Sequence, residues 1–177
     1  MNYDKSELQG TEAEQLYKKI AIKNGYEIIN STVHENKNKH VDFIVKKDII
    51  TFTVDVKSLK RINSTDKYVD DSLICIELQN VNGGTGWLYG SEDKLAFFLR
   101  EGICTVNRED VKNLFTTLNI DLTVPSIQSN RNKKKHIIYD RSQWAMKYNP
   151  EKMNDDRIIY ILKEELLSLP HEIWSIS

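Results

Sequence analysis

The stretch Ile49-Ile50-Thr51-Phe52-Thr53-Val54-Asp55-Val56-Lys57 constrains this chain more than any other. Apolar and polar residues alternate along it with the two-residue period of a β-strand. Ile50, Phe52, Val54 and Val56 make one wholly apolar face, and Thr51, Thr53, Asp55 and Lys57 make the other. One side is committed to a core, while the other ends in an acid and a base side by side. Residues 40–46 read as a partner strand, with Lys47-Asp48 as the turn of a β-hairpin. A turn at that place sets Asp42 beside the later half of the second strand.

The surrounding pattern alternates helices and strands. Residues 11–24 carry Ala13, Leu16, Tyr17, Ile20 and Ala21 at helical spacing, and Gly25 follows as a stop. Residues 26–32 read as a strand, 34–39 as a polar loop and 59–72 as a long loop. A further strand covers 73–79, with Ile74, Ile76 and Leu78 on one face and Cys75, Glu77 and Gln79 on the other. Gly86-Trp87-Leu88-Tyr89-Gly90 is a short strand or a tight aromatic turn with close backbone packing. Residues 95–99 and 103–107 are two strands joined at Glu101-Gly102, and 109–118 is a helix. Beyond a basic run, 137–139 is a short strand, and 154–169 reads as an amphipathic helix carrying Ile158, Ile161, Leu162, Leu166 and Leu169. The expectation is one α/β domain with a mixed central sheet flanked by helices, its core over about residues 8–120 and a basic loop and C-terminal helix over 121–177.

With 177 residues, 40% of them apolar and 29% charged, the chain is long enough for one sizeable core. No apolar run is long enough to span a bilayer, and the N-terminus lacks the apolar stretch of a signal peptide. Cys75 and Cys104 stand alone in apolar surroundings, as buried thiols in a reducing compartment do, so the expected location is cytoplasmic. A net charge of −1 excludes a protein that coats nucleic acid through its overall charge. Nucleic-acid contact would need local patches, and two are present. One holds Lys60 and Arg61, with Lys57 and Lys67 nearby; the other holds Arg131, Lys133, Lys134, Lys135, His136 and Arg141.

Two carboxylates a few ångströms apart repel each other unless a cation lies between them. Asp42 and Asp55 make such a pair, and the hard Mg²⁺ ion, which prefers carboxylate and water oxygens, suits it. Such a metal lowers the pKa of a bound water and neutralises charge on a phosphate, and an ammonium such as that of Lys57 orients the water or stabilises the transition state. Alone, Asp-x-Lys is commonplace as an ion pair on a wet sheet. The arrangement carries the reading: a helix with Glu14, Asp42, a hairpin return to Asp55-Val56-Lys57, then a strand with Glu77 and Gln79.

That arrangement resembles the PD-(D/E)XK nuclease superfamily, which includes restriction endonucleases, junction resolvases and phage nucleases. In that family a helix precedes a mixed sheet, with one acid on the second strand and a (D/E)-x-K motif on the third. The resemblance implies Asp42 and Asp55 as metal ligands and Lys57 as the catalytic lysine, with the carbonyl of Val56 on the metal. It further implies a role for Glu14 as the helix-one glutamate, and for Glu77 and Gln79 as the polar pair of the next strand, Glu77 near the metal and Gln79 supporting Lys57. Val41 stands where the family often has proline. The likeness covers about residues 8–90.

The expected activity is Mg²⁺-dependent hydrolysis of DNA, with Mn²⁺ as a substitute, leaning towards a junction-resolving phage or mobile-element endonuclease acting in the host cytoplasm. DNA would be held by Lys60, Arg61, Arg131, Lys133, Lys134, Lys135 and Arg141. Symmetric cutting would require a homodimer. The alternatives are a catalytically silent binding module on the same fold and an RNA-directed nuclease. Three residues also have structural readings. Thr11-x-x-Glu14 fits a capping box, and Trp144 and Tyr148 fit either base stacking or anchoring of the C-terminal helix.

Overall fold

Helix α1 (Gly10–Lys23) opens the chain because Ala13, Tyr17, Ile20 and Ala21 fall on one face and are all buried. Its end is set by Gly25, whose φ of 83° favours glycine. There the Gly25 N–H bonds to the Ile22 carbonyl and the Tyr26 N–H to that of Ala21, closing the last turn. The computed structural model describes residues 10–58, 70–80, 83–128, 133–140 and 156–176.

After α1 come β1 (Glu27–Asn30), α2 (Val33–Lys39), β2 (Phe43–Lys47), β3 (Ile50–Lys57) and β4 (Leu73–Gln79). A 3-10 turn (Trp87–Tyr89) precedes β5 (Lys94–Phe98), β6 (Ile103–Asn107) and α3 (Arg108–Thr117). The described chain ends with β7 (Ile127–Gln128), β8 (Ile138–Asp140), β9 (Arg157–Leu162), α4 (Lys163–Leu167) and β10 (His171–Trp174). Among the described residues, no helix is long and apolar enough to cross a membrane.

The strands form two sheets. The larger is six-stranded, in the order β1-β2-β3-β5-β6-β10, and the smaller is four-stranded, β4-β9-β8-β7. The large sheet is mixed: β3 and β5 run parallel, and its other neighbours are antiparallel. One of its faces, with Phe43, Val45, Phe52, Val54, Val56, Ala96 and Phe98, packs on Ala13, Tyr17 and Ile20 of α1. The other, with Leu95, Phe97, Cys104 and Val106, packs on Ile74, Ile76, Ile159 and Ile161 of the small sheet and on Val111 and Phe115 of α3. The α/β class, the mixed sheet and the β2–β3 hairpin agree with the sequence reading. Burial of Phe52, Val54 and Val56 on one side of β3 bears out its alternation there, while Ile50, beside the turn, is exposed rather than part of the core.

Three expectations are corrected. Residues 33–39 are helical rather than loop, because Thr32 and Glu35 form a capping box: the Thr32 hydroxyl accepts from the Glu35 N–H at 3.2 Å, and the Glu35 carboxylate accepts from the Thr32 N–H at 2.9 Å. The C-terminal segment is not one amphipathic helix. Residues 157–162 form a strand buried on both faces, with Ile159 and Ile161 between the sheets and Ile158 and Tyr160 against Tyr139 on the far side. Among the described residues of that segment only Lys163–Leu167 is helical, and its Leu166 is buried within the domain. Finally, β4 does not follow β3 in the same sheet; it pairs with β9, and β5 takes the place beside β3.

Candidate active site

The β2–β3 ladder runs from Lys47↔Ile50 to Phe43↔Val54. Asp42 stands one residue beyond that last pair, and Asp55 and Lys57 lie at the C-terminal end of β3. The three residues therefore meet at one end of the hairpin. The Asp42 carboxylate takes over where the ladder stops, one oxygen accepting from the Val56 N–H at 2.7 Å. Its other oxygen accepts from the Asn36 side chain at 2.6 Å. Helix α2 thus orients Asp42, a function the sequence reading had no element to supply. The signal for it was available in Thr32-x-x-Glu35.

Asp55 is only 4% exposed and forms an ion pair with Lys57. Burial holds its carboxyl well above the usual carboxylate range; the Lys57 ammonium opposes this, and the charges of Asp42 and Glu92 add to it. The Lys57 ammonium also lies 4.8 Å from the centre of the Trp87 ring. Trp87 belongs to the 3-10 turn, which Gly86 allows to press against β4: a side chain at position 86 would meet the Glu77 carbonyl oxygen at 2.4 Å. This is the close backbone packing expected of the glycine–aromatic segment.

Glu14, half-buried on α1, joins this group. Its carboxyl is raised by burial and by the charge of Asp42, and lowered by Lys57. The capping-box reading of Thr11 and Glu14 is not realised, since Thr11 lies inside α1, behind Gly10. His40 is a neighbour the sequence reading left outside the site. It ends α2 with a φ of 55°, and its ring nitrogen lies 3.2 Å from the Thr85 carbonyl. Burial lowers its pKa, with Lys57 adding to that effect and the Thr85 contact and Asp42 opposing it. Glu92 is the other residue that was missed. It is buried and stands in the electrostatic field of Asp42 and Lys57. No spacing signal marked it, because it sits in a short loop before β5.

The other expected residues lie elsewhere. Glu77 and Gln79 belong to β4 in the small sheet, on the strand whose Ile74, Ile76 and Leu78 face the core between the sheets. Glu77 pairs in register with Ile158 of β9, and a bulge separates it from Gln79. Neither stands on the strand beside Asp55, where Leu95 and Ala96 of β5 pair with Asp55 and Val56 instead. Lys133, Lys134 and Lys135 precede β8, two strands from β4 in the small sheet. Lys133 lies over the Tyr139 ring, and Lys135 pairs with Glu165 at 3.7 Å. Lys60, Arg61, Lys67, Arg131, Arg141, Trp144 and Tyr148 lie outside the described residues. Cys75 and Cys104 form no disulfide; Cys104 is buried and Cys75 half-buried.

In chemical terms the described residues of the site bring carboxyl groups from Asp42, Asp55, Glu14 and Glu92 around the ammonium of Lys57. Among the described residues, no three His, Cys, Asp or Glu side chains converge tightly enough to enclose a metal ion by themselves. The fit to Mg²⁺ is of another kind. Among the described residues acidic side chains outnumber basic ones at the site, two of the acids are buried, and Mg²⁺ commonly takes one or two carboxylates and keeps several of its waters. Comparison of the chain with protein-family models, with curated proteins and with solved structures finds no match.

Proposed function

We propose that this protein is a metal-dependent nuclease that hydrolyses phosphodiester bonds in DNA at the Asp42–Asp55–Lys57 site. One observation carries the reading: an acid at the start of β2 meets the Asp55-Val56-Lys57 segment of β3 at the same end of a buried hairpin. The order α1, β1, β2–β3 hairpin, with an acid at the second strand and Asp-x-Lys on the third, matches the order in the PD-(D/E)XK nucleases. Within this reading the restriction-endonuclease-like core comprises α1, β1, β2, β3 and β5, and the small sheet is an addition to it.

Asp42 and Asp55 would hold Mg²⁺ or Mn²⁺, with the Val56 carbonyl as a further ligand and Glu14 at the rim. The bound cation would lower the pKa of a water and offset charge on the phosphate. The chain's own residues do the remaining work. Asn36 and the Val56 N–H fix the direction of Asp42. Burial keeps Asp55 in a medium where its attraction for a cation is strong. The Lys57 ammonium, steadied over Trp87, is placed to orient the attacking water and to hold the charge that develops on the phosphoryl oxygens. By the same resemblance the product carries a 5′-phosphate.

The test is a cleavage panel: branched, linear duplex and single-stranded DNA, and RNA, each with Mg²⁺, Mn²⁺ or EDTA. The expected result is metal-dependent cutting of DNA, with preference for branched substrates marking the junction-resolving subtype. Cutting of RNA alone would move the reading to a ribonuclease. Binding without cutting of any substrate would make the protein a silent module.

A further inference from the structure

We propose that Glu92 is a positioning residue for the cation of this site, accepting hydrogen bonds from the cation's water shell while Asp42 and Asp55 take the cation itself. The proposal rests on the preceding reading that Asp42 and Asp55 hold a divalent cation.

Glu92 is 1% exposed, and neither carboxylate oxygen has a hydrogen-bond partner beyond its own backbone. A buried acid left in that state is costly, because it has given up water and gained no donor beyond its own backbone in exchange. The chain nevertheless holds it firmly. On one side, the Asp93 carboxylate accepts from the Thr53 N–H at 2.7 Å and from the Thr53 hydroxyl at 2.9 Å, two residues before Asp55. On the other, the Ser91 N–H donates to the Lys39 carbonyl at 3.1 Å, three residues before Asp42. Arg108 locks the segment from below: its Nε donates to the Glu92 carbonyl at 3.0 Å and its Nη1 to the Leu88 carbonyl at 3.2 Å. The remaining terminal nitrogen of Arg108 goes to Glu109, so this guanidinium does not bond the Glu92 carboxylate.

Room for the carboxylate comes from Gly90. A Cβ at position 90 would lie 2.1 Å from Glu92 Oε2, so the place of a side chain there is taken by the acid. The groups that face Glu92 electrostatically are Lys57 and Asp55 of β3, Asp42 at the head of β2 and Arg108 at the head of α3. Three of these four belong to the candidate active site or its motif. An unpartnered acid pinned between both halves of that site has a use once donors arrive, and the waters of a hydrated cation are such donors. The indirect role follows from the absence, among the described residues, of a third acid close enough to ligate directly, and from the preference of Mg²⁺ for keeping water.

The experiment uses the full chain stripped with EDTA, as wild type, Glu92→Gln and Gly90→Ala. Thermal unfolding is recorded with and without millimolar MnCl₂, and Mn²⁺ affinity is read from loss of the free-ion EPR signal. The expected result is that Glu92→Gln unfolds in EDTA at the wild-type temperature or above, yet binds Mn²⁺ about tenfold more weakly. Its Mn²⁺-induced rise in Tm shrinks accordingly. Gly90→Ala, which displaces the carboxylate and keeps the acid, weakens Mn²⁺ in the same way. Equal Mn²⁺ affinity in wild type and Glu92→Gln overturns the proposal and leaves the Asp42–Asp55 reading standing. A Glu92→Gln protein that is less stable in EDTA and unchanged in Mn²⁺ response assigns Glu92 a structural role and overturns it too. Wild type that takes up no Mn²⁺ overturns both.

Discussion

Replacing Glu92 by glutamine should change how stability depends on pH, by an amount that follows from its surroundings. Burial is the largest cause of a carboxyl pKa raised from 4.5 to about 7; Arg108 and Lys57 pull it down, and Asp42 pushes it up. The folded protein therefore binds this proton more tightly than the unfolded chain does. The resulting stability is fully present below pH 4.5 and is lost as pH rises through about 7. At about 1.4 kcal/mol per unit, the loss is about 3 kcal/mol. Glutamine keeps the shape and has no proton to lose. Asp55 and Glu14, also raised, have the same sign and are present in both proteins; because the Glu92 charge contributes to the Asp55 shift, the difference between variant and wild type reports Glu92 together with its coupling to Asp55. Urea unfolding in EDTA at a series of pH values from 5 to 8 provides the assay. Across that range the stability of Glu92→Gln relative to wild type should rise by about 3 kcal/mol. Parallel stability curves would refute the argument that Glu92 is buried without a compensating partner.

Further predictions bear on other parts of the account. Asn36→Ala removes the donor to Asp42 Oδ1 and should cost about 1 kcal/mol in urea unfolding while slowing any metal-dependent cleavage. Ile161→Ala, fully buried between the sheets, should cost about 2–5 kcal/mol, and a cost under about 1 would contradict a β9 buried on both faces. Gly86→Ala should be strongly destabilising, since its Cβ meets β4 backbone that cannot swing aside, whereas a wild-type melting temperature would show that the 3-10 turn does not press on β4 as described. If the run before β8 grips DNA, Lys134→Ala should reduce the slope of log affinity against log salt by about one, measured by fluorescence anisotropy on duplex DNA.

How much was legible in the sequence depended on whether a signal was local. The hairpin was readable because Phe52, Val54 and Val56 alternate with Thr53, Asp55 and Lys57, which fixes faces, and because the turn at Lys47-Asp48 then places Asp42 near Asp55. The strand at 157–162 was not, because burial of Ile158, Ile159, Tyr160 and Ile161 on both faces removes the period and leaves an apolar run that also fits a helix. The β-branched and aromatic content of that run favoured the strand. Which sheet β4 joins depends on a partner some eighty residues away, which no local pattern encodes. Helix α2 was readable in principle from Thr32 and Glu35 but is too short to show an apolar face. Glu92 left no trace, since what fixes it are the contacts of its neighbours Asp93 and Ser91 to Thr53 and Lys39 and of its own carbonyl to Arg108, all distant in sequence.

Whether Asp42, Asp55 and Lys57 form a metal-dependent phosphodiesterase site is decided by single-turnover DNA cleavage. Wild type and Lys57→Ala would be compared on the same substrate in Mg²⁺ and in EDTA, with Mn²⁺ uptake confirming that the variant still binds metal. Wild type should cut in Mg²⁺ alone, and Lys57→Ala should cut about 10²–10³-fold more slowly, the scale of losing one group that stabilises transition-state charge. Cleavage that survives EDTA, or a Lys57→Ala protein that cuts at the wild-type rate, would contradict it.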